Sequence, residues 1–336
     1  MKRITIIVLL GVLCLTASAQ KSRQKDLLPL EKGYATINRT IAEAHIAFLA
    51  SDELQGRESG THDGRVAARY LATQLKLIGI EPLFEDYYQC FDAYRRERQQ
   101  RGRFDVHPDS IALFCQDVHQ KLRMQNVIGM IPGELSDEYV IVGAHYDHLG
   151  MDVALEGDRI YNGADDNASG VSAVLQLARA FRESGKKPLR NVIFAFWDGE
   201  ERGLLGSKYF VQQCSYINQI KGYLNYDMIG RDNKPDRPRH VVYFYTASHP
   251  EYGQWLKDDI RQRGLQLEPN YRSWDNPVGG SDNSYFARHQ IPIIWYHTDG
   301  HPDYHKPSDH PHLLNYPKLV DITRASFLAL WRMANE

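Results

Sequence analysis

Short unbroken apolar runs alternate along the chain with stretches in which apolar residues recur every three or four positions. Asn191–Trp197 is apolar almost throughout and shows no in–out alternation, which predicts a central strand covered on both faces. Asn126–Met130 and Tyr139–Ala144 are β-branched runs separated by Pro132-Gly133, a strand–turn–strand pattern. Glu85–Phe91, Ile220–Tyr226, Val241–Thr246 and Ile291–Tyr296 read as further strands. Helical spacing appears over Thr40–Leu49, through Ile41, Ala44, His45, Phe48 and Leu49. It returns with Val66, Ala67, Tyr70, Leu71, Leu75 and Ile78 on one face and Gly79 as C-cap. Val171–Phe181, Ser207–Gln213, Glu251–Arg263 and Leu319–Ala334 complete the helices. Ser51–Gly64 and Tyr94–Arg103, the latter with five arginines, are too polar for a core and predict a loop and a solvated loop or hairpin tip. Strands alternating with helices predict an α/β fold: one domain with a mainly parallel sheet between helices, entered through a helical lead-in over residues 34–80.

Composition narrows the setting. Of 336 residues, 43% are hydrophobic and 24% charged, an ordinary globular balance. A net charge of −2, with no basic stripe, argues against nucleic acid or an acidic membrane as the main partner. Lys2-Arg3, the apolar run Ile4–Leu15 and Ala17-Ser18-Ala19 form an export signal over 1–19, so the mature chain is expected in the periplasm or outside the cell. That run is too short to span a bilayer, and no later stretch is long and apolar enough, so no integral membrane segment is expected after cleavage. Lys21–Lys25 forms a polar leader. Cys90, Cys115 and Cys214 remain after cleavage, an odd number that allows one disulfide and one buried thiol; Cys90–Cys115 is the pair nearest in sequence. The absence of C-x-x-C leaves a thiolate zinc site unsupported.

The candidate chemistry lies where apolar strands end. Val140–Ala144 delivers His145 and Asp147; Asn191–Trp197 delivers Asp198, Glu200 and Glu201; Tyr223–Tyr226 delivers Asp227; Ile291–Tyr296 leads to His301, Asp303, His305 and Asp309. Between them N-G-A-D-D-N-A-S-G (Asn162–Gly170) opens a helix. One acid there suffices for a cap, so the second is free for other use, and Asp165 is the candidate for a metal-bridging carboxylate. Each cluster alone has a simpler reading as a cap, a surface acid pair or a loop histidine. Their conjunction at the carboxyl ends of successive strands, where α/β sheets bind ligands, favours a common site. Imidazole and carboxylate without thiolate suit a catalytic zinc that keeps an open position. His145-Tyr146-Asp147 fits a histidine ligand oriented by a nearby carboxylate. Glu200-Glu201 can divide between a metal and its water, leaving one as general base.

G-A-H-Y-D-H-L-G, N-G-A-D-D-N-A-S-G, F-W-D-G-E-E-R-G-L-L-G-S, L-N-Y-D-M-I-G-R and D-Y-H-K-P-S-D occur in that order, preceded by L-A-S-D-E-L-Q-G-R-E-S-G-T. Together they resemble the secreted bacterial leucyl aminopeptidases, metallopeptidase family 28, from about Phe48 to the C-terminus. The resemblance implies a mixed, mostly parallel sheet sandwiched between helices and a co-catalytic pair of zinc ions. It places His145, Asp165 and Asp227 on one zinc, and Asp165, Glu201 and His305 on the other. Glu200 matches the general base and Asp147 the partner of His145. Gly280-Ser281-Asp282-Asn283 is similar to a family S-D-H element, with Asn283 where histidine is usual. The implied activity is hydrolysis of the first peptide bond of peptides with free N-termini. The alternatives are a single-zinc glutaminyl cyclase, which the same clan contains, a carboxypeptidase on the same core, and a non-catalytic binding protein. A serine hydrolase is excluded by the lack of G-x-S-x-G. Side-chain preference and oligomeric state are not specified by any of these features.

Overall fold

The computed structural model describes residues 28–97, 103–135, 137–234, 236–274 and 280–336. The expected export signal over 1–19, the leader Lys21–Lys25, and parts of the stretches 94–103 and 271–280 lie outside them. Helical residues 28–35 (α1) precede α2 (Arg39–Leu49) and α3 (His62–Ile78). The strands are β1 (Glu81–Pro82), β2 (Tyr88–Arg96), β3 (His119–Ile131), β4 (Tyr139–His145), β5 (Asn191–Trp197), β6 (Ile220–Tyr226), β7 (His240–Tyr245), β8 (Glu268–Ser273) and β9 (Ile293–His297). Further helices are α4 (Pro108–Phe114), α5 (Gly170–Ser184), α6 (Leu205–Gln213), α7 (Pro250–Arg263), α8 (Asn283–Arg288) and α9 (Tyr316–Asn335).

Among the described residues the strands form one sheet in the order β1-β3-β5-β4-β6-β9-β7-β8, with β2 also paired to β3. The central run β5-β4-β6-β9 is parallel, and antiparallel pairings join β3 to β5 and β7 to β9. β5 carries out the expectation for a doubly covered strand. Val192, Phe194 and Phe196 enter the core shared with α2, α3, α5 and α9. Ile193, Ala195 and Trp197 enter the opposite core, shared with Phe210 of α6 and Phe286 of α8. Each such fully buried large side chain stabilises the fold by about 1.5–3 kcal/mol, which fixes the strand's height and therefore where its carboxyl end stops. α3 begins on Thr61, whose hydroxyl accepts the Gly64 N–H, and ends at Gly79 in the left-handed conformation.

Several expectations are corrected. The runs around Pro132-Gly133 are not neighbours, because β5 inserts between β3 and β4. The arginine-rich stretch is not wholly loop: β2 continues through Arg95 and Arg96, paired with Gln120 and His119 at the start of a long β3. Cys90, Cys115 and Cys214 are all free thiols, so the structure has no disulfide among them. No helix among the described residues is long and apolar enough to cross a membrane.

Candidate metal centre

The parallel run brings the ends of β4, β5, β6 and β9 to one edge, and the loops that follow carry the polar clusters. His145 is the last residue of β4, Glu200 and Glu201 follow β5, Asp227 follows β6, and His305 lies in the loop after β9. The turn before α5 supplies the remaining acids. Gly170, the first residue of α5, is pressed so closely on its surroundings that a Cβ there would lie 2.3 Å from Asn167 Oδ1 and 2.9 Å from Tyr226 Cβ. This close approach holds the acidic turn against the end of β6.

The two acids of that turn point in different directions. Asp166 Oδ1 is 3.2 Å from His145 Nε2, which in turn is 3.7 Å from Asp227 Oδ1. Asp166 Oδ2 is 3.2 Å from His305 Nε2 and 3.8 Å from His148 Nδ1. Glu201 completes this second side, with Oε1 2.8 Å from His148 Nδ1 and Oε2 3.2 Å from His305 Nε2. His145, Asp166 and Asp227 thus form one group whose ligand atoms all lie within 4.8 Å, and His148, Asp166 and Glu201 form another. Asp166 belongs to both, one oxygen to each side.

The expectation for Asp165 is therefore corrected: the carboxylate shared between the groups is that of Asp166. Asp165 Oδ1 accepts the Gly230 N–H at 2.5 Å and its Oδ2 faces His301 Nε2 at 3.4 Å, below the site. The physical cause is the kinked turn, in which Asp166 and Asn167 leave helical geometry (φ/ψ −102/92 and −131/36). That excursion turns Asp166 out and leaves Asp165 inside. The structure also adds His148, absent from the expected ligand set, although H-Y-D-H placed it one residue beyond Asp147.

Asp147 works beneath the site. Its Oδ1 accepts the Glu200 N–H at 3.1 Å, and its Oδ2 accepts the Ser59 hydroxyl at 2.8 Å and the Glu201 N–H at 3.4 Å. His145 Nδ1 lies 3.2 Å from the Asp147 carbonyl oxygen and 3.7 Å from its carboxylate, so the orienting contact is chiefly with the backbone. Glu200 lines a cavity of about 220 Å³ with His145, Asp166, Asp227, Met228, Trp295, His297 and Tyr304. Burial pushes the Glu200 carboxyl well above the usual range, against the pull of His145; Asp227, Asp282 and Glu201 push it further. Asp282 is buried nearby and lifted to about 7 by burial. Burial works against a proton on His305, but Asp166 and Glu201 raise it to about 10.

The donor set fits a divalent cation. The groups offer imidazole nitrogens and carboxylate oxygens and no thiolate, as for a catalytic zinc. Among the described residues the ionic contacts of Asp166, Asp227 and Glu201 are with histidines, not with lysine or arginine. His148 Nε2 is buried without a hydrogen-bond partner. Buried acids are ordinarily paired or bound to metal, and here the only described side chains paired with them are imidazoles, which are themselves metal ligands.

A mixed sheet with imidazole–carboxylate groups at its carboxyl edge forms a candidate metal site. Residues 126–329 match the model of Peptidase family M28, and the chain belongs to that family. The leupeptin-inactivating enzyme 1 of Streptomyces exfoliatus is 32% identical over 170 residues, 50% of this chain and 34% of that protein. A glutamate carboxypeptidase 2 homolog of Caenorhabditis elegans is 37% identical over 238 residues, 60% of this chain and 29% of that protein. The chain thus spans about a third of the length of these curated relatives. Among solved structures, the LapA aminopeptidase of Legionella pneumophila aligns with a TM-score of 0.68 at 19% identity, over 91% of this chain and 74% of that one. The zinc aminopeptidase BSAP of Bacillus subtilis gives 0.66 at 15%, over 89% and 96%. A glutaminyl cyclase of Fimbriiglobus ruber gives 0.65 at 17%, also over 89% and 96%. At these identities the structures establish the fold alone.

Proposed function

We propose that this chain is an aminopeptidase that removes N-terminal residues from peptides using two zinc ions. His145, Asp166 and Asp227 would hold one ion; Asp166 and Glu201, with His305 and His148 as the available imidazoles, would hold the other. The observation that carries this reading is the division of Asp166 between the two groups, Oδ1 facing His145 and Oδ2 facing His148 and His305. Zinc in such a pair polarises a peptide carbonyl and makes water a competent nucleophile near neutral pH.

The chain's own residues supply the rest. Glu200 projects into the cavity from a backbone anchored on Asp147, and it takes the proton of the attacking water and returns it to the leaving amine. The described side chains lining the cavity include Asp166, Glu200 and Asp227 but no lysine or arginine. A C-terminal carboxylate would therefore find no lysine or arginine there to pair with, which supports aminopeptidase over carboxypeptidase action. We further propose export, on the signal over residues 1–19.

Glu200→Gln tests the mechanism: zinc stays bound, by elemental analysis, while kcat/KM drops by at least about a hundredfold, the lower range for general-base catalysis. Near-normal turnover in that variant overturns the role of Glu200. Aminoacyl anilides, N-blocked peptides with free C-termini and Gln-initiated peptides separate the three activities of this scaffold. Cleavage confined to N-blocked peptides, or ammonia release from glutamine without hydrolysis, overturns the aminopeptidase reading.

A further inference from the structure

The segment Q-G-R-E-S-G between α2 and α3 supplies no ligand and no proton, yet its side chains reach toward the centre. Gln55, Gly56 and Arg57 all have positive φ, at 43°, 71° and 39°. For the two non-glycine residues this is a left-handed backbone that L side chains rarely adopt. A Cβ on Gly56 would stand 2.2 Å from the Gly150 carbonyl oxygen, so the turn lies flat against the loop that follows His148. The turn drives Arg57 inward to complete burial.

A buried guanidinium usually faces a carboxylate. Arg57 faces backbone carbonyls. Nε donates to Tyr146 O at 2.7 Å; one terminal nitrogen donates to Leu49 O at 3.1 Å and to Asn162 O; the other donates to Gly163 O at 2.8 Å and Asp166 O at 2.9 Å. Tyr146 stands between His145 and Asp147, and Asn162, Gly163 and Asp166 belong to the loop that bears the shared carboxylate. Five planar donors meet five acceptors, a match that a lysine ammonium cannot span. Two residues on, Ser59 donates to Asp147, and Glu58 pairs with Arg202, the neighbour of Glu201. Burial works against the Arg57 cation and lowers its pKa; the charges that favour the cation are those of Asp166, Asp147, Asp309 and Glu201, all acids at or beside the centre.

We propose that Arg57 is a positioning residue of the metal centre: its guanidinium locks the loop bearing His145, Asp147 and His148 to the loop bearing Asp166. It keeps the two Asp166 oxygens on their two groups and lends positive charge to an acid-rich site, without touching substrate. An ordinary core arginine would instead contribute to stability and nothing else.

The inference rests on the zinc reading above, and the test separates the two. Arg57→Met and Arg57→Lys are compared with wild type and with Arg332→Lys, whose guanidinium forks onto Asp259 between α9 and α7. Fold is followed by circular dichroism and urea midpoint, zinc affinity by calorimetric titration of chelator-stripped protein, and kcat and KM on an aminoacyl anilide. The expected result is that both Arg57 variants bind zinc at least tenfold more weakly and lose kcat at little-changed KM. Arg332→Lys lowers the urea midpoint but keeps zinc affinity and kcat. Wild-type zinc affinity and kcat in a folded Arg57 variant overturn the proposal. If Arg57→Met does not fold, Arg57→Lys alone decides by the same criterion. Failure of the wild-type protein to bind zinc overturns the reading of the centre and this inference with it.

Discussion

At the scale of single residues, adjacent Asp165 and Asp166 carry the sharpest contrast. Their chemistry is identical and their surroundings are not: Asp165 accepts the Gly230 N–H and lies 3.4 Å from His301, whereas Asp166 is spread over both ligand groups. Asp166→Asn is therefore expected to strip zinc from the purified protein and abolish hydrolysis. Asp165→Asn keeps an acceptor for the Gly230 N–H and is expected to retain zinc within a few-fold of the wild-type affinity. Metal analysis of the two variants side by side decides it, and the reverse pattern would return the bridging role to Asp165. The contrast also marks how far the sequence could be read. Residue types and strand ends point to wider polar clusters, from which the family resemblance selects His145, Glu201, Asp227 and His305, and the fold brings these four around one carboxylate. Which aspartate of D-D turns outward depends on one kinked backbone turn, and neither composition nor periodicity encodes that. His148 escaped because the H-Y-D-H spacing was absorbed by a single histidine and its partner.

At the scale of elements, the strongly patterned ones were legible and the weakly patterned ones were not. β5 announced itself because both its faces are buried, so every position is apolar. β8 lies at the edge, partly exposed and containing Pro269, and gives no period to detect. α4 and α8 are only 7 and 6 residues long, too short for a stripe to repeat. The lead-in helices carry a different signal. His45 of α2 is buried, with Nδ1 2.8 Å from the Tyr70 hydroxyl of α3. Burial, assisted by Arg179, lowers its pKa to about 4 from 6.5. A histidine depressed in the folded state contributes its full stability above pH 6.5 and loses it as pH falls towards 4, because the unfolded chain takes up the proton first. The pH window is set by those two values, and the loss across it is on the order of 3 kcal/mol. Urea denaturation of wild type and His45→Gln should show the wild-type midpoint falling relative to that of the variant between pH 6.5 and pH 4, with a constant offset above pH 6.5. Parallel curves would show that His45 contributes no pH dependence.

For the whole molecule, the decisive fact is that the ligand set is assembled only by folding. His145 and His305 are 160 residues apart in the chain. They meet because β4, β5, β6 and β9 run parallel at matched heights, with side chains buried in cores on both faces. An unfolded chain offers no comparable pair of groups, so zinc held at these groups would favour the native state over the denatured one, and its binding free energy would add to fold stability. At free zinc about 1,000 times the dissociation constant, that addition is about 4 kcal/mol for a single site. Scanning calorimetry of chelator-stripped protein should accordingly record a melting temperature several degrees lower than after zinc is restored. Asp166→Asn should forfeit most of the rise, since Asp166 belongs to both groups. Asp227→Asn, which touches one group, should forfeit only part of it. Equal rises in all three proteins would mean that zinc stabilises the fold from somewhere other than the carboxyl edge of the sheet.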